Sequence, residues 1–111
     1  MVNYEVPILD NVFGALANSQ RREIITMLME RPKSITELAV PLKMSLPAIN
    51  KHIKVLERAK LINRKKIGRS NELILVPTSL TGAQSWIDFH RTYWNQQLDS
   101  LSLYVDRSGK D

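Results

Sequence analysis

The run SLPAINKHIKVLERAKL, residues 45–61, constrains this chain more than any other stretch, because it carries two helical stripes on one backbone. Leu46, Ile49, Ile53 and Leu56 recur at the three- and four-residue spacing of a buried face. Asn50, Lys51, Lys54 and Arg58 form a polar and basic stripe on the far side. A fold that accepts this segment must bury the first stripe against neighbouring elements and leave the second free. What the second stripe is for depends on what flanks it.

Ser45 is a favourable N-cap, and Pro47 falls in the first turn, where its missing N–H would have no intrahelical acceptor, so a helix is expected over about 46–59. Upstream, Ser34 and Glu37 stand in the S-x-x-E capping-box spacing and open a shorter helix carrying Ile35, Leu38, Ala39 and Leu42. Pro41 is expected to end that helix early through its lost donor and ring clash. Two helices joined by a short polar link, the second capped and basic on its free side, make a helix-turn-helix pattern. Downstream, LINRKKI and NELILV are strand-like runs separated by Gly68, Arg69 and Ser70, which reads as a β-hairpin closed by Pro77. Its first strand and tip are basic, with Arg64, Lys65, Lys66 and Arg69.

Charge acquires meaning once it is located. The chain's net charge is +5, yet residues 45–71 alone hold eight Lys or Arg against one acid, Glu57, leaving the remainder slightly acidic. A field concentrated in one quarter of the chain points to a polyanionic partner, double-stranded DNA above all. On that reading Ser45, Pro47 and Asn50 face base edges, asparagine suiting the N6 and N7 of adenine and proline a thymine methyl. Lys51, Lys54 and Arg58 suit phosphates, because a flexible cation positions more than it specifies. Arg64, Lys65 and Lys66 extend that surface along the wing, and Arg69 at the tip suits a phosphate or a narrow minor groove. His52 lies between the two stripes, against either the hairpin base or a phosphate, and Arg21 and Arg22 are expected to pair with acids such as Asp10 or Glu23.

The two ends of the chain are helical and apolar. Residues 8–17 place Leu9, Val12, Phe13 and Leu16 on one face, and a second helix over about 19–31 carries Ile24, Ile25 and Leu28 before Pro32. Over about 79–106, Ala83, Trp86, Ile87, His90, Trp94, Leu98, Leu101 and Val105 make a stripe some seven turns long, with Phe89, Tyr93 and Tyr104 beside it. That is more apolar surface than one layer of a 111-residue chain can bury, and the surplus is expected to meet a second copy. Leu9, Val12, Phe13, Leu16, Trp86, Ile87, His90, Trp94, Leu98, Leu101 and Val105 are the expected dimer residues, in preference to an effector pocket. Residues 1–111 read as one domain with a frayed tail, RSGKD.

Several classes of function fall away. The chain has no cysteine, which removes disulfides, thiolate chemistry and every sulfur-ligated zinc site. It has no glycine-rich phosphate loop and no spacing that brings a nucleophile to a base, so no enzyme is expected. No run approaches the roughly 18 apolar residues of a membrane span, and MVNYEVPILDN lacks the layout of a signal peptide, so no membrane association and a cytoplasmic location are expected.

The string SITELAVPLKMSLPAINKHIKVLERAKLI, preceded by ANSQRREIITML and followed by a basic hairpin and WIDFHRTYWNQQLDSLSLYV, resembles the ArsR-type winged-helix repressors over about residues 9–105. The resemblance implies a mainly α fold of about five helices with a two-stranded wing, dimeric through helices about 8–17 and 79–106. It also implies a repressor on an inverted-repeat operator at the nucleoid. The rivals are an architectural protein that binds DNA without sequence preference and a winged-helix module whose basic face meets an acidic protein.

Two departures bear on mechanism. Ala39, Val40 and Pro41 stand where the family's thiolate metal sensors have Cys-Val-Cys, and Lys60 stands where the family has glycine, so the helix before it is expected to end differently. Asp88-x-His90 resembles half of the family's interhelical zinc site, but Leu101 and Tyr104 occupy the positions of the second pair. No metal and no cofactor are expected. A small molecule, a partner protein or no effector at all remain as candidates for a signal.

Overall fold

The computed structural model describes residues 5–108, with side chains over 8–105. Eight elements follow in order: α1 (Glu5–Leu16), α2 (Ser19–Leu28), β1 (Lys33–Ser34), α3 (Ile35–Leu42), α4 (Leu46–Arg58), β2 (Ile62–Ile67), β3 (Ser70–Leu75) and α5 (Thr78–Ser108). The architecture is the mainly helical winged helix-turn-helix expected, and the boundaries agree to within a few residues. The frayed tail lies partly outside the described residues, since α5 runs through Ser108.

The helix starts are chemically explicit. Asn18 caps α2 by accepting from the Arg21 amide, and Ser45 Oγ accepts from the Ala48 amide at 3.3 Å at the start of α4. Ser34 and Glu37 make the reciprocal capping box of α3, the serine oxygen accepting at 3.2 Å and the glutamate from the Ser34 amide at 3.0 Å. The Arg31 guanidinium, and after it the Ser34 amide, hold the Glu37 carboxyl at about 2. That cap is therefore intact above the ordinary carboxylate range and is lost as pH falls towards 2. Pro41 does not break α3, because only one bond of its last turn is lost, and the helix ends one residue later with Lys43 in the left-handed conformation at φ 54°.

Three expectations need correction. The wing is not an isolated two-stranded hairpin: β1 adds a third, antiparallel strand, giving the order β1-β3-β2, with Lys33 opposite Leu73 and Ser34 opposite Glu72. Lys60 does not alter the end of α4. It takes the left-handed φ of 58° that glycine would take, its amide donating to Glu57 O and the Leu61 amide to Leu56 O at 3.0 Å. The strain costs lysine about 1 kcal/mol over glycine, and it is offset by the burial of Leu61 and Ile62 immediately beyond. Leu46 is not core. As the first residue of α4 it points past the neighbouring helices and is 53% exposed.

The core is built by α1 through β3. Val12 and Ala15, Ile24 and Leu28, Leu38, the α4 stripe Ile49, Ile53 and Leu56, and Leu73 of the sheet are all buried. Each large aliphatic so buried contributes about 1.5–3 kcal/mol. Among its described side chains α5 buries only Ala83 in this core, with Leu80 packed against it, and is exposed at every position from 91 to 105. Thirty-one residues of helix span about 46 Å, which is why the molecule extends 70 Å and has a radius of gyration of 19.3 Å. A compact chain of this length would have about 13 Å.

Candidate nucleic-acid interface

The α3–turn–α4 unit places a basic face at one end of the core. Because Ile49, Ile53 and Leu56 are held at zero exposure, the opposite side of α4 is fixed outward, and Lys51, Lys54 and Arg58 are exposed there. Ser45 and Pro47 are exposed at the helix start, at the end where amides and dipole favour a phosphate. On the wing, Ile62 faces the core, while Lys65, Lys66 and Arg69 are exposed. Gly68 alone takes positive φ in the two-residue turn to β3, the pattern of a type II′ hairpin. The structure thus brings the sequence-expected Ser45, Pro47, Asn50, Lys51, Lys54 and Arg58 onto one helix, with the wing residues beside it.

Arg64 lies on the wing and also makes two bonds back to α4. Its Nε donates to Glu57 Oε1 at 2.9 Å and its Nη2 to Asn50 Oδ1 at 3.2 Å, so it spans from β2 to α4. Glu57, the lone acid of the basic window, is there to hold this arginine. The arginine in turn fixes the Asn50 amide: with Oδ1 accepting from Arg64, the NH2 is free to donate outward, and the second lone pair of Oδ1 remains for an incoming donor. Arg64 therefore supports the half-buried Asn50, while its own side chain stays 32% exposed on the wing.

Arg21, Arg22 and His52 are placed otherwise than expected. Arg21 donates from Nε to Ala15 O at 2.8 Å and from Nη2 to Gly14 O at 3.1 Å, and Arg22 donates to Leu16 O at 2.7 Å. Both cap the last carbonyls of α1, where cations are favoured, instead of pairing with carboxylates. His52 meets α2 rather than the hairpin base, through Gln20 and Arg21. Lys43 lies just before the basic stretch that the sequence analysis began at Ser45. It is exposed in the turn before α4, at a left-handed helix C-cap where glycine or asparagine is cheaper.

Along α5 the residues expected at a dimer contact divide. Val12 is buried in the chain's own core and has no surface to offer, and Leu9 and Leu16 are half-buried beside it. Phe13 meets Trp86 edge to face at 5.7 Å. Trp86, Ile87, Trp94, Leu98, Leu101 and Val105 remain exposed, Leu101 to 57%. His90 stacks on Trp86 and its Nδ1 donates to Trp86 O at 2.8 Å, while Asp88 pairs with Arg91. Among the described residues no three metal-ligating side chains come together.

The chain is similar to known proteins. The model of a family described as bacterial regulatory protein, arsR family, matches residues 18–64, from the start of α2 into β2. The HTH-type transcriptional regulator Rv2034 of Mycobacterium tuberculosis is 32% identical over 111 residues, 100% of this chain and 99% of that one. The transcriptional activator HlyU of Vibrio cholerae is 31% identical over 80 residues, 71% of each chain. The transcriptional repressor SdpR of Bacillus subtilis is 27% identical over 79 residues, 71% of this chain and 88% of that one. Among solved structures, the ArsR family transcriptional regulator RHA00566 superposes with a TM-score of 0.75 at 32% identity, covering 86% of this chain and 97% of that one.

Proposed function

The chain belongs to the ArsR family of bacterial regulatory proteins, and from that premise we propose that it acts as a homodimeric repressor reading an inverted-repeat operator. As a member of the family it is a DNA-binding transcriptional regulator and not an enzyme. The observation that carries the finer reading is the basic surface of the turn, α4 and the wing, where Arg64 pairs with Glu57 and the other acid, Glu72 of β3, stands opposite Lys65. Asn50, Ser45 and Pro47 are the base readers, and Lys51, Lys54, Arg58, Lys65, Lys66 and Arg69 hold phosphates. Residues 1–111 work as one winged-helix unit.

The unpaired stripe of α5 supports a second copy as its cover. A two-fold axis there would present two α4 helices to successive major grooves, about 34 Å apart. The relatives include a named activator and a named repressor. Repression is the reading that needs no further surface, since a bound dimer excludes polymerase by its volume. No helix among the described residues is long and apolar enough to cross a membrane, and an operator-bound regulator works at the nucleoid, in the cytoplasm.

Titration of a duplex selected by the protein from a random-sequence pool, against a scrambled duplex, at about 50 and about 200 mM salt, tests this reading. The selected duplex should stay bound while the scrambled one is lost, because phosphate contacts fall steeply with salt and base contacts persist. An equal fall for both would mark an architectural protein, and no binding to either would mark a protein-interaction module.

A further inference from the structure

The bonds between α2 and α4 can be given a direction from chemistry alone. A guanidinium has five N–H donors and no acceptor, so Nδ1 of His52, 3.3 Å from Arg21 Nη1, must accept and carries no proton. The ring proton is therefore on Nε2, which stands 3.1 Å from Gln20 Oε1 and donates to it. The same guanidinium donates to Ala15 O and Gly14 O, carbonyls in the last turn of α1 that have few amides of their own helix to accept from. One side chain thus grips the end of α1 with two nitrogens and the middle of α4 with the third.

We propose that Arg21 and His52 are positioning residues that form a clasp between α1 and the recognition helix α4, and that this clasp sets which half-site spacing the dimer accepts. The role rests on the proposed reading of the chain as a DNA-binding dimer. α1 packs against α5 as well as α4, so it is the element through which the apolar stalk and the basic face are connected. Without the clasp, α4 would still fold on its buried stripe and still present its lysines. What it would lose is the polar tie that narrows the orientation its packing on α1 leaves open, and with it discrimination between spacings, while affinity for phosphates would stay.

The clasp requires a neutral ring. Protonated His52 would turn an N–H towards the N–H of Arg21, two donors and two positive charges facing each other. The groups that face the ring are Arg21 and Gln20 from α2 and Lys51 on its own helix, none of them acidic. Burial first, then Arg21 and Lys51, hold the imidazole below its ordinary value. The sign follows: the clasp is complete above the usual histidine range and is lost as pH falls through the lowered value.

The probes are the duplex selected by the unmodified protein and versions with one base pair added or removed between its half-sites, at pH 7.5 and at the lower pH where NMR titration of the ring shows His52 protonated. The unmodified chain should prefer the selected spacing by about tenfold at the higher pH and lose that preference at the lower. His52→Gln keeps an acceptor for Arg21 and a donor for Gln20 but cannot titrate, so its preference should be the same at both values. His52→Leu should lack the preference at both while binding scrambled duplex as the unmodified chain does. If His52→Leu fails to fold, the pH dependence and its absence in His52→Gln still decide. Nitrogen NMR of the ring gives a reading that needs no DNA: an Nε2–H tautomer is expected, and an Nδ1–H tautomer with duplex binding intact would overturn the clasp alone. A pool that yields no duplex would overturn the DNA-binding reading and the spacing role with it.

Discussion

Helices α4 and α5 carry apolar stripes of the same spacing and have opposite fates. In α4 the stripe Ile49, Ile53 and Leu56 is wholly buried by the chain's own helices and sheet, and the far side is left free for another molecule. Among the described side chains of α5 only Ala83 is buried, and Trp86, Ile87, Trp94, Leu98, Leu101 and Val105 of its stripe are exposed, with Phe89 exposed to 77%. Helical periodicity says that a face will be covered; it does not say by what. The difference is topological: α4 sits between α1, α2, α3 and the sheet, whereas α5 leaves the core after its first two turns and extends beyond it.

The contrast can be broken most forcefully by one substitution in each stripe. Ile53→Ala leaves a cavity that the packed core cannot close and should cost about 2–5 kcal/mol of stability, read as a lowered denaturant midpoint. Leu101→Glu should instead preserve the helical signal and the core while abolishing dimerisation, because a partner would have to bury an unpaired charge. A Leu101→Glu chain that still dimerises would place the interface elsewhere.

The free face of α4 sharpens the comparison at a smaller scale. Asn50→Ala should lower the preference for selected over scrambled duplex by about 1–3 kcal/mol. Lys51→Ala and Lys54→Ala should weaken both duplexes alike and flatten the salt slope by about one per lost phosphate contact. Arg64→Ala should mimic Asn50→Ala, since it frees the amide that Arg64 holds. An Arg64→Ala chain with unchanged preference would show that the amide needs no support.

The C-terminal ends of α3 and α4 give the smallest effects. Lys43 and Lys60 both adopt positive φ, so replacing either with glycine should raise stability by about 1 kcal/mol or less. On the proposal that the exposed turn before α4 meets the duplex, Lys43→Gly should also weaken duplex binding, whereas Lys60→Gly should leave it unchanged. Equal binding by both variants would remove Lys43 from the interface.

Much of this was legible in the sequence where the causes are local. Ser34 with Glu37, Ser45 with Pro47 and the Ile49–Ile53–Leu56 spacing act within a few residues, and they placed α3 and α4 correctly. What was not legible depends on residues distant in the chain. The pairing of β1 needs Leu73, forty residues on. Arg64 finds Asn50 fourteen residues back, and Arg21 finds His52 thirty-one residues ahead, only after the helices have packed. Leu46 fits the apolar spacing of α4 but precedes the first residue that a neighbour can cover. Lys60 kept the turn that a glycine would make because tertiary burial outweighed local strain.

Sedimentation equilibrium of the unmodified chain at micromolar concentration, alone and with the selected duplex, tests the central claim most directly. The open stripe of α5 predicts a mass about twice the 12.7 kDa of the chain, and two chains per duplex in the complex. A well-folded monomer of 12.7 kDa, binding the duplex one chain at a time, would contradict it.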